Sequence, residues 1–434
     1  MAPTTLAYGR DRLAVELPFE ATPIQARVAP TPPLGANEVA AAFARAGLVE
    51  ALAAARSIAI VVNDQTRKGG MRVTLEAIGA LLDRAGVAAD RATLVIAYGL
   101  HARQSDAISA EIYGEALLGR VRLVHHDARD RATLVRVGEL EGGHPLELAA
   151  PVAMAELRVL VGAISFHYHA GFSGGRKAIM PGVADEATIV RNHLRVLDRS
   201  GPNGRAAGCA PARLDGNPVS EEMFAALRLL DARGGRTFLA NAILGPTAAG
   251  AGIVDVACGF DHEARFRSGA ARLYALGVAK LDPARPFGGV VASAGGWPYD
   301  ASLYQAHKAY DNAFRAVSPS IARGQRPTIV LLARCDEGLG HARFARWLEH
   351  PTREAHYEAL LAGYEIVGQT SLAVRDKAAF SRTLAVTDLD DATCARLGWE
   401  RARTLEEALA VAQGDGVARR WAVMPSAGAV LPVE

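Results

Sequence analysis

Apolar runs of strand length alternate with amphipathic stretches through the first part of the chain. Continuous Val-, Ile- and Leu-rich runs are typical of strands buried on both faces, whereas apolar residues spaced three and four apart predict helices. Predicted strands at residues 57–63, 93–98 and 121–126 alternate with predicted helices at residues 73–85 and 106–118. This alternation predicts an α/β fold with a largely parallel sheet flanked by helices.

The segments on either side of this region follow related patterns. Residues 1–35 predict a short hairpin and a proline-rich entry, and Asn37 is the predicted N-cap of a helix that runs to Ala55. A helix is also expected to begin near Asp185, where an acidic turn precedes an apolar periodicity. Further predicted strands lie at residues 157–166, 236–258, 288–294, 328–333, 382–386 and 420–424, with a charged amphipathic helix at residues 261–280.

The length of the chain favours two domains, because 434 residues exceed the size at which a single hydrophobic core stops growing. A proline-rich segment at residues 282–286 is the predicted boundary. The expected domains are residues 1–281 and 282–415, each with a largely parallel sheet, and residues 416–434 could complete the first. We expect the active site in the cleft between the two domains.

Composition narrows the class of protein. The net charge is only +2, half of the residues are hydrophobic, and no basic block is long enough to indicate binding to nucleic acid or to a membrane surface. The four cysteines are far apart and form no Cys-x-x-Cys pair, so neither a disulfide framework nor a thiolate metal site is indicated. No window has the length and apolarity of a signal peptide or a membrane span. A cytoplasmic enzyme is the simplest expectation.

The densest chemistry follows the buried run at residues 157–166. A loop there contains His167 and His169, three glycines around Ser173, and the adjacent pair Arg176 and Lys177. Closely spaced glycines let backbone N–H groups converge on an anion, and the two cations add charge, so the loop predicts a phosphate-bearing ligand. Neither a P-loop nor a Gly-x-Gly-x-x-Gly fingerprint is present. A tight turn without a ligand is the alternative.

Polar residues also follow other predicted strands. Asp64, Thr66 and Arg67 come after the first strand, where an arginine can grip a carboxylate in two places. His101 follows the next strand and can accept and return a proton near neutral pH. In the second domain, a predicted helix carries Gln305 and Lys308 on one face, with Tyr304 beside that face. The adjacent pair at residues 125–126 is interpreted as sheet-end polar residues, since neighbours on a strand point to opposite faces.

These motifs resemble the nickel-dependent lactate racemase family. The resemblance lies in the pattern His-x-x-Ala-Gly-Phe-Ser-Gly-Gly-x-Lys, which begins at His167 and ends at Lys177, and in His193 sixteen residues later. Asp64-x-Thr66-Arg67, Gly99-x-His101 and Gln305-x-x-Lys308 extend it over most of the predicted catalytic region. The chain departs from the family pattern at Lys68, where proline is usual, and at Ala102, which precedes Arg103.

The resemblance implies a racemase or epimerase of 2-hydroxy acids that transfers a hydride reversibly from the substrate Cα to a cofactor. The implied cofactor is nickel held by pyridinium-3,5-bisthiocarboxylic acid mononucleotide, the nickel-pincer nucleotide, which is covalently attached to Lys177 and made by biosynthetic enzymes supplied in trans. His193 is the implied nickel ligand, and His101 and His167 are the implied acid/base pair. Arg67, Tyr304, Gln305 and Lys308 are the expected substrate-binding residues. The other expected cofactor-binding residues are Asp64, Thr66, Gly171, Ser173, Gly174, Gly175 and Arg176.

Two other readings of the same residues stay open. Lys177 could form a Schiff base with a pyridoxal-type cofactor, because a lysine within a glycine-rich loop is compatible with that chemistry. The chain could also bind a nucleotide cofactor without turnover. Neither the identity of the 2-hydroxy acid nor the oligomeric state follows from the residues.

Overall fold

The structure, a computed structural model, describes residues 4–25, 28–67, 69–199, 205–248, 250–414 and 419–434. The strands are β1 (Thr4–Tyr8), β2 (Asp11–Val15), β3 (Ala21–Pro23), β4 (Ile58–Asn63), β5 (Ala92–Ala97), β6 (Arg122–His125), β7 (Leu134–Leu140), β8 (His144–Ala149), β9 (Leu157–Ile164), β10 (Phe166–His167), β11 (Gly171–Phe172), β12 (Arg236–Thr247), β13 (Gly250–Gly259), β14 (Val278–Lys280), β15 (Gly289–Ser293), β16 (Thr328–Leu332), β17 (Arg382–Val386), β18 (Glu400–Ala402), β19 (Trp421–Met424) and β20 (Leu431–Val433). The α-helices are α1 (Ala36–Arg45), α2 (Leu48–Ala54), α3 (Met71–Arg84), α4 (Asp106–Tyr113), α5 (Glu115–Leu118), α6 (Ala150–Ala153), α7 (Glu186–Leu194), α8 (Pro218–Arg233), α9 (His262–Gly277), α10 (Leu303–Ile321), α11 (Ala342–Leu348), α12 (Arg353–Ala362), α13 (Ile366–Phe380), α14 (Asp391–Leu397) and α15 (Leu405–Gly414).

The chain divides into two compact units. One, the central unit, comprises Val28–Asp198 and Arg205–Leu276, and the other, the terminal unit, comprises Met1–Arg27, Arg199–Gly204 and Gly277–Glu434. Among the described residues, no helix combines the length and apolarity needed to cross a bilayer.

The central unit contains a six-stranded sheet in the order β13-β12-β9-β4-β5-β6. All neighbours in it are parallel except β12 and β13, which pair antiparallel. Alternate residues of β4 enter different hydrophobic cores. Ile58, Ile60 and Val62 pack with residues of α1 to α3, whereas Ala59 and Val61 pack with residues of β8, α7 and α8. Both faces of the sheet are therefore covered, as the continuous apolar runs predict.

The terminal unit has its own six-stranded sheet, in the order β18-β17-β16-β15-β19-β3. Every pairing in it is parallel. One core of this unit combines sheet residues such as Val330 and Val423 with Leu405 and Leu409 of α15 and Leu6 of β1. The α/β class with parallel sheets flanked by helices is thus confirmed.

The division of the chain differs from the expected domains at both ends. Residues 1–27 and 419–434 belong to the terminal unit, because β3 pairs with β19 and β14 pairs with β20. The boundary between Leu276 and Gly277 lies five residues before the expected one. The predicted turn at residues 202–204 lies outside the described residues.

Two predicted helices are each interrupted by a glycine. The helix expected from Asn37 to Ala55 begins after Gly35 and is divided into α1 and α2 at Gly47, whose φ is +85°. The helix expected at residues 106–118 is divided into α4 and α5 at Gly114, whose φ is +88°. A φ in the left-handed region cannot continue a right-handed helix, and glycine adopts it without a Cβ penalty.

Candidate functional site

Strand order brings three polar loops to one edge of the central sheet. β4 lies between β5 and β9 and is parallel to both. The last residue of β4, Asn63, is opposite Ala97 at the end of β5, and Val61 is opposite Leu160 of β9. The loops that follow these strands carry Asp64, His101 and His167 respectively, at the edge where parallel α/β sheets place their ligands.

Asp64 and His101 form a close pair. His101 Nδ1 lies 2.6 Å from Asp64 Oδ2. The other carboxylate oxygen, Oδ1, accepts hydrogen bonds from the backbone N–H of Thr66 at 3.0 Å and from its hydroxyl at 2.5 Å. Burial alone raises the pKa of Asp64, but the bonds from His101 and Thr66 and the charge of His101 outweigh burial and lower this pKa below its ordinary value. Asp64 is therefore an ionised acceptor that orients His101.

Gln104 is a buried residue of this site that the sequence motifs did not reveal. Its Oε1 accepts the backbone N–H of Gln65 at 2.7 Å, and its Nε2 donates to Ser109 Oγ and to Tyr113 OH. The Tyr113 hydroxyl donates in turn to the Asn63 carbonyl at 2.8 Å. This network ties the loop after β4 to α4 and so fixes the backbone beside Asp64.

The ring of His167 is held by the loop that follows it. Its Nδ1 accepts the backbone N–H groups of His169 at 3.2 Å and Ala170 at 3.1 Å. Burial, followed by the positive charges of Lys177 and Arg67, holds the pKa of His167 well below its ordinary value. The charges of His169 and His193 act in the same direction. His167 is therefore a neutral imidazole.

Lys177 lies on a short 3₁₀ helix, Gly175–Ala178, that follows the glycines. Burial, and after it the charges of Arg67 and Arg176, holds the pKa of Lys177 well below its ordinary value. This environment favours the uncharged form of the amine, and an uncharged lysine amine is a nucleophile.

His193 lies on α7, whose N-cap is Asp185, and the sequence predicts that a helix begins near this residue. Its Nδ1 is 2.7 Å from the carbonyl of Ile189, one turn earlier, and must donate to it. Burial lowers the pKa of His193 to about 4, against the opposing effect of that hydrogen bond. The neutral ring therefore carries its lone pair on Nε2. In metal-ligating histidines, the ring nitrogen that does not bind the metal typically donates a hydrogen bond to a group such as a backbone carbonyl, as Nδ1 does here.

The glycines of the loop are closely packed against neighbouring groups. A Cβ on Gly171 would lie 2.0 Å from the Arg213 carbonyl oxygen, and one on Gly175 would lie 2.6 Å from the Phe266 ring. The backbone N–H of Gly175 donates to Asn241 Oδ1 at 2.7 Å, and that of Ser173 donates to a carbonyl of the preceding loop. These two amides are therefore directed to protein acceptors.

Arg176, which is expected among the cofactor-binding residues, is buried within the protein. Its side chain is 1% exposed and lies between two aromatic rings, with Cζ 4.6 Å from the centre of Phe224 and 4.5 Å from that of Phe266. One guanidinium nitrogen donates to the Ala170 carbonyl and to Ser220 Oγ. Burial lowers the pKa of Arg176 to about 9. Arg176 therefore connects the loop to α8 and packs against Phe224 and Phe266.

Ser173 is buried, and its Oγ has no hydrogen-bond partner among the described residues. A buried hydroxyl without a partner is costly in a folded protein. It is therefore a candidate contact for a ligand polar group. Thr66 and Arg67, by contrast, lie on the exposed side of the loop after β4.

The remaining expected residues lie in the terminal unit, on α10. Gln305 and Lys308 are exposed on one face of this helix, as the spacing predicts. The ring of Tyr304 lies 5.8 Å from that of His307 and 6.2 Å from that of His341.

Metal binding by side chains alone is not evident. The neighbours His125 and His126 have different partners, the hydroxyl of Tyr98 and the carbonyl of Ala184, so they do not converge on one ion. Across the part of the chain that the structure describes, no three or more His, Cys, Asp and Glu side chains are arranged to hold a metal.

Comparisons with known proteins agree on one family. Residues 8–203 match the model of the lactate racemase N-terminal domain. The chain is 27% identical over 294 residues to the lactate racemase of Thermoanaerobacterium thermosaccharolyticum, and 28% identical over 291 residues to that of Lactiplantibacillus plantarum. These matches cover 68% and 66% of this chain and 63% and 62% of the relatives, so the chain matches less than two thirds of their length. The solved lactate racemase apoprotein of the first organism superposes over 100% of both chains with a TM-score of 0.83 at 23% identity, which supports the fold.

Proposed function

We propose that this chain is a member of the lactate racemase family and that it is a racemase or epimerase of 2-hydroxy acids that acts by reversible hydride transfer. The observation that carries the proposal is the environment of Lys177. The pKa of its amine lies well below the ordinary value. Lys177 and His167 both belong to the segment that follows β9, and His101 belongs to the loop that follows β5. The charges of Lys177 and His101 also contribute to the lowered pKa of His193, after burial.

The residues of the loop fit the proposed cofactor, nickel in pyridinium-3,5-bisthiocarboxylic acid mononucleotide. Lys177 offers an amine whose uncharged, nucleophilic form is favoured by its surroundings, which suits covalent attachment. His193 offers a lone pair on Nε2, and imidazole with soft sulfur donors suits square-planar nickel(II). The hydroxyl of Ser173 is a buried group that a polar atom of the cofactor would satisfy. When bound, this group would accept the substrate hydrogen as hydride and return it.

The protein side chains would bind and orient the substrate. Arg67 is exposed on the loop after β4, and its charge lowers the pKa of both His167 and Lys177, which favours Arg67 as the group that binds the substrate carboxylate. We further propose that Lys308 and Gln305, with Tyr304, hold the carboxylate and the oxygen on Cα. His101 and His167 would contact the hydroxyl whose proton leaves with the hydride.

Mass spectrometry and nickel analysis test the proposal on protein made with and without the cofactor-biosynthesis enzymes, which act in trans. We expect a mass increment on the peptide that contains Lys177 and about one nickel per chain, as one site requires. Lys177→Ala should lack both, whereas Lys280→Ala, which changes a lysine outside the site, should retain both. Absence of the adduct and of nickel from the wild type would refute the proposal and favour the pyridoxal or binding-protein alternative.

The mass and nickel measurements do not test the substrate, the partners or the cellular location. Once loading is established, a screen of 2-hydroxy acids by chiral chromatography would identify the substrate and distinguish racemisation from epimerisation. Binding to nucleic acid or membrane is not expected, and a cytoplasmic location stays a prediction.

A further inference from the structure

We propose that Glu222 of α8 is a positioning residue, which holds α7 in place so that His193 keeps a fixed position relative to Lys177. This inference rests on the proposed function, because it concerns the residue expected to bind nickel. Glu222 belongs to none of the sequence motifs.

The carboxylate of Glu222 is buried against α7 and receives side-chain donors from three of its residues. Its side chain is only 5% exposed. Oε2 accepts the side-chain amide of Asn192 at 3.0 Å, and Oε1 contacts the guanidinium groups of Arg191 and Arg195, the latter at 2.9 Å. A buried carboxylate is stable only when hydrogen bonds and opposite charges replace the lost water. Here these partners come from the residues on either side of His193.

The contacts with Glu222 lie in the last turn of α7. The helix ends one residue after His193, and Arg195 is its C-cap. Helix ends fray more readily than helix centres, because their final carbonyl groups lack a partner one turn further on. Arg195 lies three residues after Asn192 and four after Arg191, so these side chains share one side of the helix. Glu222 therefore restrains the turn that carries His193, although His193 itself makes none of these bonds.

The same part of α8 also holds the segment that carries Lys177. Arg176 donates to Ser220 Oγ at 2.8 Å, and Ser220 is completely buried. The guanidinium of Arg176 also packs on the ring of Phe224, at 4.6 Å from its centre. Ser220 and Glu222 are two residues apart on one helix. The short helix with Lys177 and the last turn of α7 are thus fixed to a common support.

The start of α8 is itself fixed to the same region. Asn217, its N-cap, accepts the backbone N–H of Ser220 and donates to the carbonyl of His169 at 2.8 Å. The Val219 carbonyl accepts a second bond from the Asn192 side chain, at 3.2 Å. The first two turns of α8 therefore contact all three segments that contribute proposed active-site residues after β9.

This arrangement matters more for a metal ligand than for a covalent tether. A histidine that ligates a metal must be held to within about 0.2 Å of its place. The amine of Lys177, by contrast, remains available for attachment when α7 moves. Loss of the contact between Glu222 and α7 should therefore separate two properties, covalent attachment at Lys177 and retention of nickel.

Hydrogen exchange of the apoprotein tests the positioning role without any cofactor. Glu222→Gln keeps the length of the side chain and the oxygen that faces the arginines, but it sets an NH₂ group against that of Asn192. We expect exchange at the amides of His193 and Leu194 to become about 10-fold faster, the factor that loss of one hydrogen bond gives. Exchange at Lys177 should stay unchanged. Equal exchange at His193 in Glu222→Gln and in the wild type would overturn the proposal.

Glu141→Ala is the matched control for this measurement. Glu141 also contacts Arg195, at 3.2 Å, but its side chain is 84% exposed, and exposed ion pairs contribute little. The variant should leave exchange at His193 unchanged. An effect as large as that of Glu222→Gln would contradict the special role of the buried carboxylate.

Nickel retention tests the consequence in protein made with the cofactor-biosynthesis enzymes. Glu222→Gln should carry the wild-type mass increment on the peptide with Lys177, but it should lose nickel to a chelator about 10-fold faster. Leu227→Ala separates positioning from stability, because Leu227 is a buried core residue of the same helix that makes none of these hydrogen bonds. It should unfold at lower urea without faster nickel release. Equally fast release in Leu227→Ala, or loss of the adduct together with nickel in Glu222→Gln, would refute the positioning role.

A double variant tests whether Glu222 acts through α7. Asn192→Ala removes the same contact from the other side, so Glu222→Gln combined with it should release nickel no faster than Asn192→Ala alone. Additive effects would contradict the proposed connection. Absence of the adduct and of nickel from the wild type would refute the proposed function, whereas exchange in the apoprotein would still decide the role of Glu222.

Discussion

Asn241 is the residue whose replacement most directly tests how the loop that carries Lys177 is held. It lies on β12, is 1% exposed, and makes two hydrogen bonds. Its Oδ1 accepts the backbone N–H of Gly175 at 2.7 Å, and its Nδ2 donates to the Leu160 carbonyl at 3.1 Å. Asn241→Ala would leave both backbone groups buried without this partner.

The expected effect is large for a single uncharged residue. A buried N–H without an acceptor costs about 1–3 kcal/mol, and loss of the bond to the Leu160 carbonyl adds about 1 kcal/mol. We therefore expect the free energy of unfolding of the central unit to fall by about 2–4 kcal/mol. Because the Gly175 amide precedes Lys177 by two residues, the loop that carries Lys177 should also open more often.

Urea unfolding and hydrogen exchange measure these two effects separately. Unfolding gives the change in stability, and exchange at Gly175 and Lys177 reports local opening. Asn312→Ala is the matched control, because Asn312 is a buried asparagine of the terminal unit whose side chain donates to the Ala427 carbonyl. It should destabilise its own unit without faster exchange at Gly175. A change below about 0.5 kcal/mol in Asn241→Ala, with unchanged exchange, would refute the reasoning.

Three further predictions concern packing, pH and substrate affinity. Gly171→Ala should reduce the free energy of unfolding by about 2–5 kcal/mol, because its Cβ would meet the Arg213 carbonyl oxygen at 2.0 Å and its φ is +75°. Gly142→Ala is the control, because Gly142 has a φ of +78° but no atom of the described residues lies within 4 Å of its added Cβ. It should lose only the free energy of placing alanine at a positive φ, about 1–2 kcal/mol. Equal losses in the two variants would argue against the close contact between Gly171 and the Arg213 carbonyl. Burial lowers the pKa of His356 to about 4, against the effect of its hydrogen bond to a backbone carbonyl, so the unfolded chain binds the proton more readily. The contribution of His356 to stability should therefore be fully present above pH 6.5 and be lost, by about 3 kcal/mol, towards pH 4. Urea unfolding at several pH values should show a pH dependence that is smaller by this amount in His356→Gln, while the similar contribution of His307, whose pKa is also lowered to about 4, remains. Lys308→Ala should raise KM for the 2-hydroxy acid by about 10- to 100-fold while mass spectrometry shows unchanged cofactor loading, and an unchanged KM would remove Lys308 from the substrate site.

The sequence predicts the sheet-forming segments well, because strands buried on both faces are continuous apolar runs. It also predicts which loops carry polar residues, since parallel strands place their carboxyl ends at one edge. The sequence does not predict which residues form hydrogen bonds with one another within those loops. An aspartate after a strand is common in turns, so nothing local indicates that Asp64 contacts His101, thirty-seven residues away. The Gly174-Gly175 pair is as typical of an anion cradle as of close packing, and nothing local in the sequence indicates that the Gly175 amide donates to Asn241.

The pairing of β3 with β19 has a consequence for how the protein is made. On the ribosome, the segment that forms β3 emerges almost four hundred residues before β19, whereas the whole of the central unit, up to Leu276, is synthesised between them. The central unit can therefore fold during synthesis, but the terminal sheet must wait for the last part of the chain. Until then, one edge of β15 and the apolar residues of β3 lack their partner, and exposed strand edges promote association between chains. Truncations upstream of Trp421 should therefore yield aggregates of the terminal unit with an intact central unit.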